Sequence, residues 1–288
     1  MKKGTVLLLG RPNVGKSTFV NNVVGQKVAI TSPKPQTTRF PIQGLYEDER
    51  GTIIFTDTPG IFEGVNDPMV KKINEQTVQA IHDHVDIAIY MIDPTRKRDF
   101  EEANVLGIVR KLECPVILVF NTKEKEKPYF MPQYAFLKDE FSDVFTISAL
   151  KQQHVKPLLD RIFELLPEQE PNQTPIDVVH PVLNIDSKTF IAELIREKVF
   201  LMMGEEIPYS TTAIVDAIEE RKDKTLYIKA RILTTNERHK GMLIGKAGRK
   251  IKEIGSYARK EIALATNKKV FLDLKVEQDP HWQATLYS

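Results

Sequence analysis

The sequence has almost no cysteine, no long apolar run and no excess of charge of either sign. Its single cysteine, Cys114, excludes an intramolecular disulfide and any zinc site built from several cysteines. The longest largely apolar run, 85–92, contains Asp86 and is far shorter than the roughly 20 residues of a membrane-spanning helix. No apolar secretion segment follows the first residues. These absences favour a reduced, cytoplasmic protein.

The composition is that of an ordinary folded chain long enough for two domains. Of the 288 residues, 41% are hydrophobic and 28% are charged, which argues against disorder. The net charge of +2 conceals a bias, because residues 1–175 carry 22 basic and 23 acidic residues whereas residues 176–288 carry 19 and 16. Between Asn236 and Lys260 there are eight basic residues and two acidic ones. This basic stretch indicates nucleic-acid binding in the second half.

A polar, proline-rich stretch separates the two halves. Four prolines occur between positions 167 and 181, and proline restricts the chain to extended conformations. We therefore predict a first domain at 1–166, a linker at 167–181 and a second domain at 182–288.

The first half alternates short β-rich runs with helical patterns, which predicts an α/β domain with a mostly parallel sheet. The predicted strands are 6–9, 53–55, 87–92, 116–120 and 144–147, and the predicted helices are 17–24, 69–82, 100–112, 131–140 and 155–166. Ligands of such sheets bind at the carboxyl ends of the strands.

The second half predicts a small α+β domain of order α-β-β-α-β. A helix is expected at 189–203, ending before Gly204 as its cap, followed by strands at 210–217 and 226–233. A second helix is expected because one helical face collects the apolar residues Ile251, Ile254, Ala258, Ile262 and Ala265. A last strand is expected at 269–276.

A phosphate-binding loop follows the first predicted strand and opens the first predicted helix. Two glycines, four spacer residues and Lys-Ser make up the pattern: Gly10, Arg11, Pro12, Asn13, Val14, Gly15, Lys16 and Ser17, followed by Thr18. Backbone amides and the helix N-terminus attract phosphate, Lys16 reaches the β- and γ-phosphates, and the Ser17 hydroxyl suits Mg²⁺. This strand-loop-helix context strongly favours a nucleotide site.

Two further segments fit the same site. The turn after the strand at 53–55 contains an aspartate that can hold Mg²⁺ and a glycine whose amide can contact the γ-phosphate: Asp57, Thr58, Pro59 and Gly60. A threonine in the polar loop 35–39, Thr37 or Thr38, would complete the Mg²⁺ shell and order that loop in the triphosphate state.

Two short segments at later strand ends are placed to bind a base. They comprise Asn121, Thr122, Lys123 and Glu124 after one strand, and Ser148, Ala149 and Leu150 after the next. Each segment is a weak signal alone, and the order of all five elements makes the pattern specific.

These five elements together resemble the successive motifs of translation-factor-class GTPases, and Asn13 with the loop 35–39 resembles the bacterial Era subgroup. The resemblance implies GTP hydrolysis with Mg²⁺ held by Ser17, Thr38 and Asp57. It also implies catalytic roles for Lys16, Asn13 and Thr38. Ile61 stands where Ras-like enzymes have a water-orienting glutamine, and relatives with this replacement are thought to use K⁺, so slow turnover is expected.

The base motif departs from the Asn-Lys-x-Asp pattern of that subgroup. With Asn121 as the first residue, Thr122 replaces lysine and Glu124 replaces aspartate. In the register shifted by one residue, Thr122 and Lys123 fit a Thr-Lys variant, but Lys125 then occupies the acidic position. We prefer the first register because Asn121 directly ends the apolar strand.

The second half resembles a KH domain of the prokaryotic type. A Gly-x-x-Gly loop with basic neighbours lies between two helical patterns and would contact a nucleic-acid backbone: Ile244, Gly245, Lys246, Ala247, Gly248, Arg249 and Lys250. Single-stranded RNA is the ligand that this resemblance implies.

A GTPase domain followed by this KH domain is the architecture of the Era family. The resemblance implies a GTP-driven switch that binds single-stranded ribosomal RNA near the 3′ end of the small-subunit RNA and assists assembly of the small ribosomal subunit. One alternative is an RNA-binding protein whose nucleotide domain has lost guanine selectivity, and a P-loop ATPase is a weaker one. Peripheral association with the inner face of the membrane stays open.

Overall fold

A computed structural model of the chain describes residues 1–32, 34, 37–60, 75, 80, 85–122, 130–168 and 184–286. The chain divides into two compact units, one of Met1–Thr31 with Thr38–Leu183 and one of Ser32–Thr37 with Asn184–Ser288. Most of the predicted linker and the predicted helix at 69–82 lie outside the described residues. The domain boundaries therefore stay predictions.

The first unit is built on a six-stranded sheet of order β2-β3-β1-β4-β5-β6, in which only β2 runs antiparallel to its neighbour. The strands are β1 Lys2–Leu9, β2 Ile42–Asp48, β3 Gly51–Asp57, β4 Ile87–Ile92, β5 Val116–Asn121 and β6 Asp143–Ile147. This arrangement confirms the predicted mostly parallel sheet. The edge strand β2 was not predicted, because its apolar residues Ile42, Leu45 and Tyr46 do not form a continuous run.

Helices cover this sheet with apolar stripes. The described helices of the unit are α1 Lys16–Val24, α2 Phe100–Val109, α3 Leu137–Glu140 and α4 Val155–Leu165. α2 buries Val105, Leu106 and Val109 in the core that contains Tyr90 and Phe120 of the sheet. The single helix predicted at 131–140 is instead a short 3₁₀ helix, Met131–Tyr134, followed by α3.

The second unit has the order α-β-β-α-α-β-α. Its elements are α5 Ser187–Met202, β7 Thr211–Glu220, β8 Leu226–Thr234, α6 Glu237–Ile244, α7 Arg249–Thr266, β9 Val270–Gln278 and the terminal α8 Trp282–Leu286. β8 lies between β7, its antiparallel partner, and β9, its parallel partner. The apolar face predicted for α7 is confirmed at its centre, because Ile254, Ala258 and Ile262 are fully buried.

Two details of this unit differ from expectation. The helix α6 fits the helical pattern expected before the Gly-x-x-Gly loop, but the predicted order α-β-β-α-β does not include it as an element, because its eight residues include four charged or histidine residues and a glycine. α5 ends one residue before the extended Met203, which is its cap, so Gly204 does not cap the helix. None of the described helices is long and apolar enough to span a membrane.

A short segment from the first half of the sequence belongs to the second unit. Within 32–37, Lys34 donates hydrogen bonds to the carbonyl groups of Phe200, near the end of α5, and Met203, directly after it. Arg196 of the same helix donates to the Thr37 carbonyl. The sequence offered no signal for these contacts, since they join positions about 160 residues apart.

Candidate functional site

The carboxyl ends of the parallel strands bring the predicted nucleotide motifs together. β1 ends at Leu9 before the phosphate loop, β3 ends at Asp57, and β5 ends at Asn121. β1 lies between β3 and β4, so the strand order proceeds from β1 toward one edge of the sheet through β3 and toward the other edge through β4. A crevice for ligands forms where the strand order reverses in this way.

The phosphate loop is held in shape partly by its own lysine. The Lys16 ammonium donates hydrogen bonds to the carbonyl oxygens of Gly10 at 2.9 Å and Arg11 at 3.0 Å. Burial lowers the pKa of Lys16 to about 8, although the charges of Asp57 and Glu102 raise it. A buried cation with a lowered pKa gains strongly from a nearby phosphate.

Three oxygen-bearing side chains meet beside this lysine. The Ser17 hydroxyl donates to Asp57 Oδ2 at 2.5 Å and lies 3.3 Å from the Thr38 hydroxyl. Asp57 Oδ1 is buried and has no hydrogen-bond partner among the described residues. Burial raises the pKa of Asp57 to about 6, while Lys16 and the Ser17 hydroxyl lower it.

This cluster has the chemistry of a magnesium site. Mg²⁺ prefers oxygen ligands, and the cluster offers hydroxyl oxygens together with a carboxylate oxygen, Asp57 Oδ1, that is unpartnered among the described residues. Within the described part of the chain, no group of three or more His, Cys, Asp or Glu side chains is arranged to hold a metal ion by itself. A nucleotide-bound Mg²⁺ needs no such group, since phosphates and water supply most of its ligands. The threonine that meets Ser17 is Thr38, whereas the Thr37 hydroxyl donates to the Lys34 carbonyl at 2.6 Å.

Asn121 joins the base segments to the phosphate loop. Its amide donates to the Val14 carbonyl at 2.7 Å and its carbonyl accepts from the Ala149 backbone at 2.9 Å. A Cβ on Gly15 would lie only 2.1 Å from the Asn121 amide nitrogen, so glycine is required there. One buried side chain thus couples three segments, with separations of 107 residues between Val14 and Asn121 and of 28 between Asn121 and Ala149.

The neighbours of Asn121 differ in how they are used. The Thr122 hydroxyl donates to the Ile147 carbonyl of β6 at 3.0 Å, so it is engaged with the sheet. Ser148 exchanges two backbone hydrogen bonds with Gln153, both of 3.1 Å, and Leu150 is 74% exposed. Lys123, Glu124 and Ile61 lie outside the described residues.

Two predicted phosphate-contacting side chains are engaged elsewhere. The Thr58 hydroxyl donates to the Leu8 carbonyl at 2.6 Å and fixes the turn to β1. The Arg11 guanidinium is 3% exposed and pairs with Asp99 at 2.7 Å. At these two positions only the backbone remains available to phosphate. The partners of Arg11 were not found from the sequence, because acids at a helix start are usually explained by capping.

The Gly-x-x-Gly loop forms a tight connection between α6 and α7. Gly245, Ala247 and Gly248 all have positive φ angles, of 68°, 53° and 71°. The Lys246 side chain is exposed and makes no described ion pair, whereas Lys250 pairs with Glu253 at 3.1 Å. The loop therefore brings together a backbone that its two glycines leave without side chains, an exposed cation and the N-terminus of an 18-residue helix.

Family comparisons match both units. Residues 5–122 match the family described as "50S ribosome-binding GTPase", and residues 206–283 match the KH domain family. A protein named GTPase Era from Halothermothrix orenii is 37% identical over 284 residues, which cover 98% of this chain and 95% of the relative. The GTPase Era of Thermotoga petrophila is 39% identical over 290 residues, covering 98% and 94%.

Solved structures agree over the same length. A variant of Aquifex aeolicus Era bound to GDP and AlF₄⁻ superposes with a TM-score of 0.89 at 34% identity, covering 98% of this chain and 96% of that one. Era in complex with MgGDPNP and nucleotides 1506–1542 of 16S ribosomal RNA gives the same TM-score and identity, with coverages of 98% and 95%. The chain belongs to the Era family of GTPases, with a GTPase domain followed by a KH domain.

Proposed function

We propose that this protein is a GTP-hydrolysing switch that binds small-subunit ribosomal RNA near its 3′ end and assists assembly of the small ribosomal subunit. The observation that carries the proposal is the full-length similarity to an Era protein in complex with MgGDPNP and 16S ribosomal RNA. The family description of the first domain names the large subunit, but 16S RNA belongs to the small one. The proposed location is the cytoplasm, where ribosomal RNA is found.

In this proposal the phosphate loop holds the nucleotide. Gly10, Arg11, Asn13, Val14, Gly15 and Thr18 present backbone amides to the phosphates. Pro12 has no amide hydrogen to donate and contributes to the shape of the loop. Lys16 supplies the cationic contact to the β- and γ-phosphates. Supporting observations are the burial of Lys16 and its lowered pKa, which a phosphate would reverse.

Ser17, Thr38 and Asp57 are the residues proposed to hold Mg²⁺, Asp57 acting through water. The ion would neutralise charge on the phosphate oxygens. Thr58, Pro59 and Gly60 form the turn beside it, and Gly60 offers a backbone amide toward the γ-phosphate. The reaction is transfer of the γ-phosphoryl group to water, so these residues position groups and stabilise charge.

Water activation differs from that of Ras-like enzymes, since an aliphatic Ile61 neither donates nor accepts a proton. We propose that Asn13 helps to hold a K⁺ ion beside the phosphates, which would supply the missing positive charge. Asn13 has a φ of 63°, a left-handed conformation that asparagine tolerates better than most residues. Turnover without RNA or a ribosomal partner is expected to be slow.

Guanine is proposed to bind between 121–124 and Ser148–Leu150. The two hydrogen bonds of Asn121 support the register in which Asn121 is the first residue of the motif. Thr122 and Glu124 then replace the lysine and aspartate of relatives. A glutamate carboxylate still suits the two donors of guanine, but its extra methylene worsens the geometry.

The second candidate function keeps RNA binding but assigns the nucleotide domain reduced guanine selectivity and little turnover. Among the described residues, it rests on Thr122 alone. The hydroxyl of Thr122 is engaged with β6, and the residue has no long aliphatic chain, such as that of lysine, to cover a base. Similarity to GTPases over the whole chain disfavours it.

A competition experiment separates the two functions. A fluorescent GDP would be displaced from the purified protein by GTP, GDP or ATP, and we expect GTP to compete at least about tenfold better than ATP. Equal competition would favour the second function. The double variant Thr122→Lys with Glu124→Asp should tighten GDP binding, and an unchanged affinity would mean that the register is wrong.

RNA is proposed to bind the second domain at Ile244–Lys250 through the Gly-x-x-Gly loop. KH domains hold about four nucleotides of single strand with the loop against the backbone. Lys246, Arg249 and Lys250 supply the electrostatic attraction. The exposure of Lys246 and the left-handed backbone of the loop support this role.

A further inference from the structure

Two arginines tie the phosphate loop to the segment 93–97 that follows β4. Arg11 of the loop donates to the Lys97 carbonyl at 3.0 Å, and Arg96 donates to the Pro12 carbonyl at 2.7 Å. The phosphate loop thus donates hydrogen bonds from an arginine side chain to the backbone of 93–97, and 93–97 does the same to the backbone of the phosphate loop. We call Arg11 and Arg96 the arginine clamp.

The Arg11 end of the clamp is buried among carboxylates. Arg11 is 3% exposed and lies 2.7 Å from Asp99, 3.5 Å from Glu101 and 3.6 Å from Glu102. Glu102 is 1% exposed and accepts a hydrogen bond of 2.6 Å from the Tyr90 hydroxyl. The Asp99 and Glu101 side chains are 46% and 28% exposed, so Glu102 is the buried carboxylate of the three. A buried guanidinium held by a carbonyl and three carboxylates keeps its position, because several charge-assisted contacts fix it at once.

The Arg96 end starts from a fixed backbone. The Arg96 amide donates to the Asp93 carbonyl at 3.2 Å, and the Tyr134 hydroxyl donates to the Arg96 carbonyl at 2.9 Å. The Asp93 carboxylate accepts from both the backbone and the hydroxyl of Thr95. These hydrogen bonds fix the backbone of the turn from which the Arg96 side chain extends to the phosphate loop.

The clamp acts where the phosphate loop meets the turn of Gly60. A Cβ on Gly60 would come within 2.5 Å of the Pro12 ring, so the two residues are in close contact. Pro12 also precedes Asn13 directly. The positive charge of Arg96 is one cause of the lowered pKa of Lys16, which indicates that Arg96 is close to the phosphate site.

We propose that Arg96 and Arg11 are positioning residues for GTP hydrolysis, which hold Pro12 and thereby Asn13 and Gly60 in place around the γ-phosphate. This inference rests on the phosphate-loop roles proposed above. GDP lacks the γ-phosphate, and in the proposed site its remaining phosphates would be bound mainly by Lys16 and the amides near Gly15. The clamp therefore supports the transition state more than GDP binding.

The test compares Arg96→Ala with Arg98→Ala, a matched control. Arg98 lies in the adjoining stretch of chain, but its guanidinium lies over the Phe136 ring at 5.1 Å. For Arg96→Ala we expect kcat for GTP and affinity for GDP·AlF₄⁻ to fall about tenfold, with GDP affinity changed by less than about threefold. Arg96→Lys, which keeps a cation and a donor, should recover part of the loss. Arg98→Ala should behave like the unmodified protein.

A second variant separates positioning from direct contact with phosphate. Asp99→Asn removes one ion pair of Arg11 but retains the cap that Asp99 provides to the Glu102 amide. It should lower kcat and GDP·AlF₄⁻ affinity in the same direction and by less. An effect of Arg96→Ala without any effect of Asp99→Asn would overturn the clamp, as would equal losses of GDP and GDP·AlF₄⁻ binding.

The underlying site is tested alongside by Lys16→Ala. If Lys16→Ala abolishes hydrolysis while Arg96→Ala is neutral, the clamp is wrong and the proposed phosphate site stands. If Lys16→Ala hydrolyses GTP normally, the proposed phosphate site itself is wrong.

Discussion

Binding of GTP should take up a proton at alkaline pH, and Lys16 is the reason. Without nucleotide, burial lowers the pKa of this lysine to about 8. A triphosphate beside the ammonium favours the charged form and returns the pKa toward its ordinary value near 10.4. Between these two values the free protein is partly neutral and the complex is charged, so binding must draw a proton from the buffer.

The magnitude follows from the lowered pKa. The neutral fraction of Lys16 in the free protein is about 0.1 at pH 7, about one half at pH 8 and about 0.9 at pH 9. Proton uptake for each GTP bound should equal the neutral fraction at that pH. The same linkage weakens apparent affinity about tenfold between pH 7 and pH 9, which is about 1.4 kcal/mol.

Calorimetry with a non-hydrolysable GTP analogue measures both quantities. Titrations in two buffers of different ionisation enthalpy give the protons taken up, at pH 7, 8 and 9. Lys16→Arg serves as the control, because arginine stays charged and should show no rise in uptake. Uptake that is the same at pH 7 and pH 9 in the unmodified protein would refute the assignment of Lys16 to the phosphates.

Two further predictions concern the metal and the RNA. Burial raises the pKa of Asp57 to about 6, so Mg²⁺ must displace a proton from this carboxyl group below that pH. Titrations with Mg²⁺ should therefore show affinity about tenfold weaker at pH 5 than at pH 7.5. The variant Asp57→Asn should lose this pH dependence. Replacing Lys246 and Ala247 together by aspartate should sharply weaken binding of single-stranded RNA in filter assays and leave GTP affinity unchanged, because aspartate tolerates the left-handed backbone at Ala247 while its charge opposes phosphate. RNA affinity equal to that of the unmodified protein would refute the loop's role.

Contiguous motifs were predictable because local sequence dictates their conformation. The phosphate loop needs a strand before it and a helix after it, and both are evident in the sequence. The Gly-x-x-Gly loop likewise combines two glycines with flanking helical residues. The predicted element order nevertheless left out α6, because the charged residues and Gly241 of this short helix leave only a small apolar face.

Contacts between distant positions were not predictable. Arg11 and its partner Asp99 are 88 positions apart, and nothing in either local pattern connects them. The sequence placed Asn121 at a strand end but left two registers open. The parallel pairing of Asn121 with Ile147 brings its amide toward both Val14 and Ala149. The choice between the two registers therefore depends on tertiary contacts, which the local sequence around Asn121 does not reveal.

The phosphate loop is thus held on either side of Asn13, by Arg96 at Pro12 and by Asn121 at Val14. A residue between two fixed neighbours, with a φ of 63°, can be changed at its side chain only if the backbone is preserved. Asn13→Gly meets that condition, since glycine adopts positive φ freely, whereas Asn13→Ala adds strain of roughly 1 kcal/mol. If the Asn13 side chain helps to hold K⁺, hydrolysis by the unmodified protein should be faster in KCl than in NaCl at equal ionic strength. Asn13→Gly should lose that difference and keep its GDP affinity. Equal rates in both salts for the unmodified protein would exclude the K⁺ site, and a preserved difference in Asn13→Gly would assign the ion to other ligands.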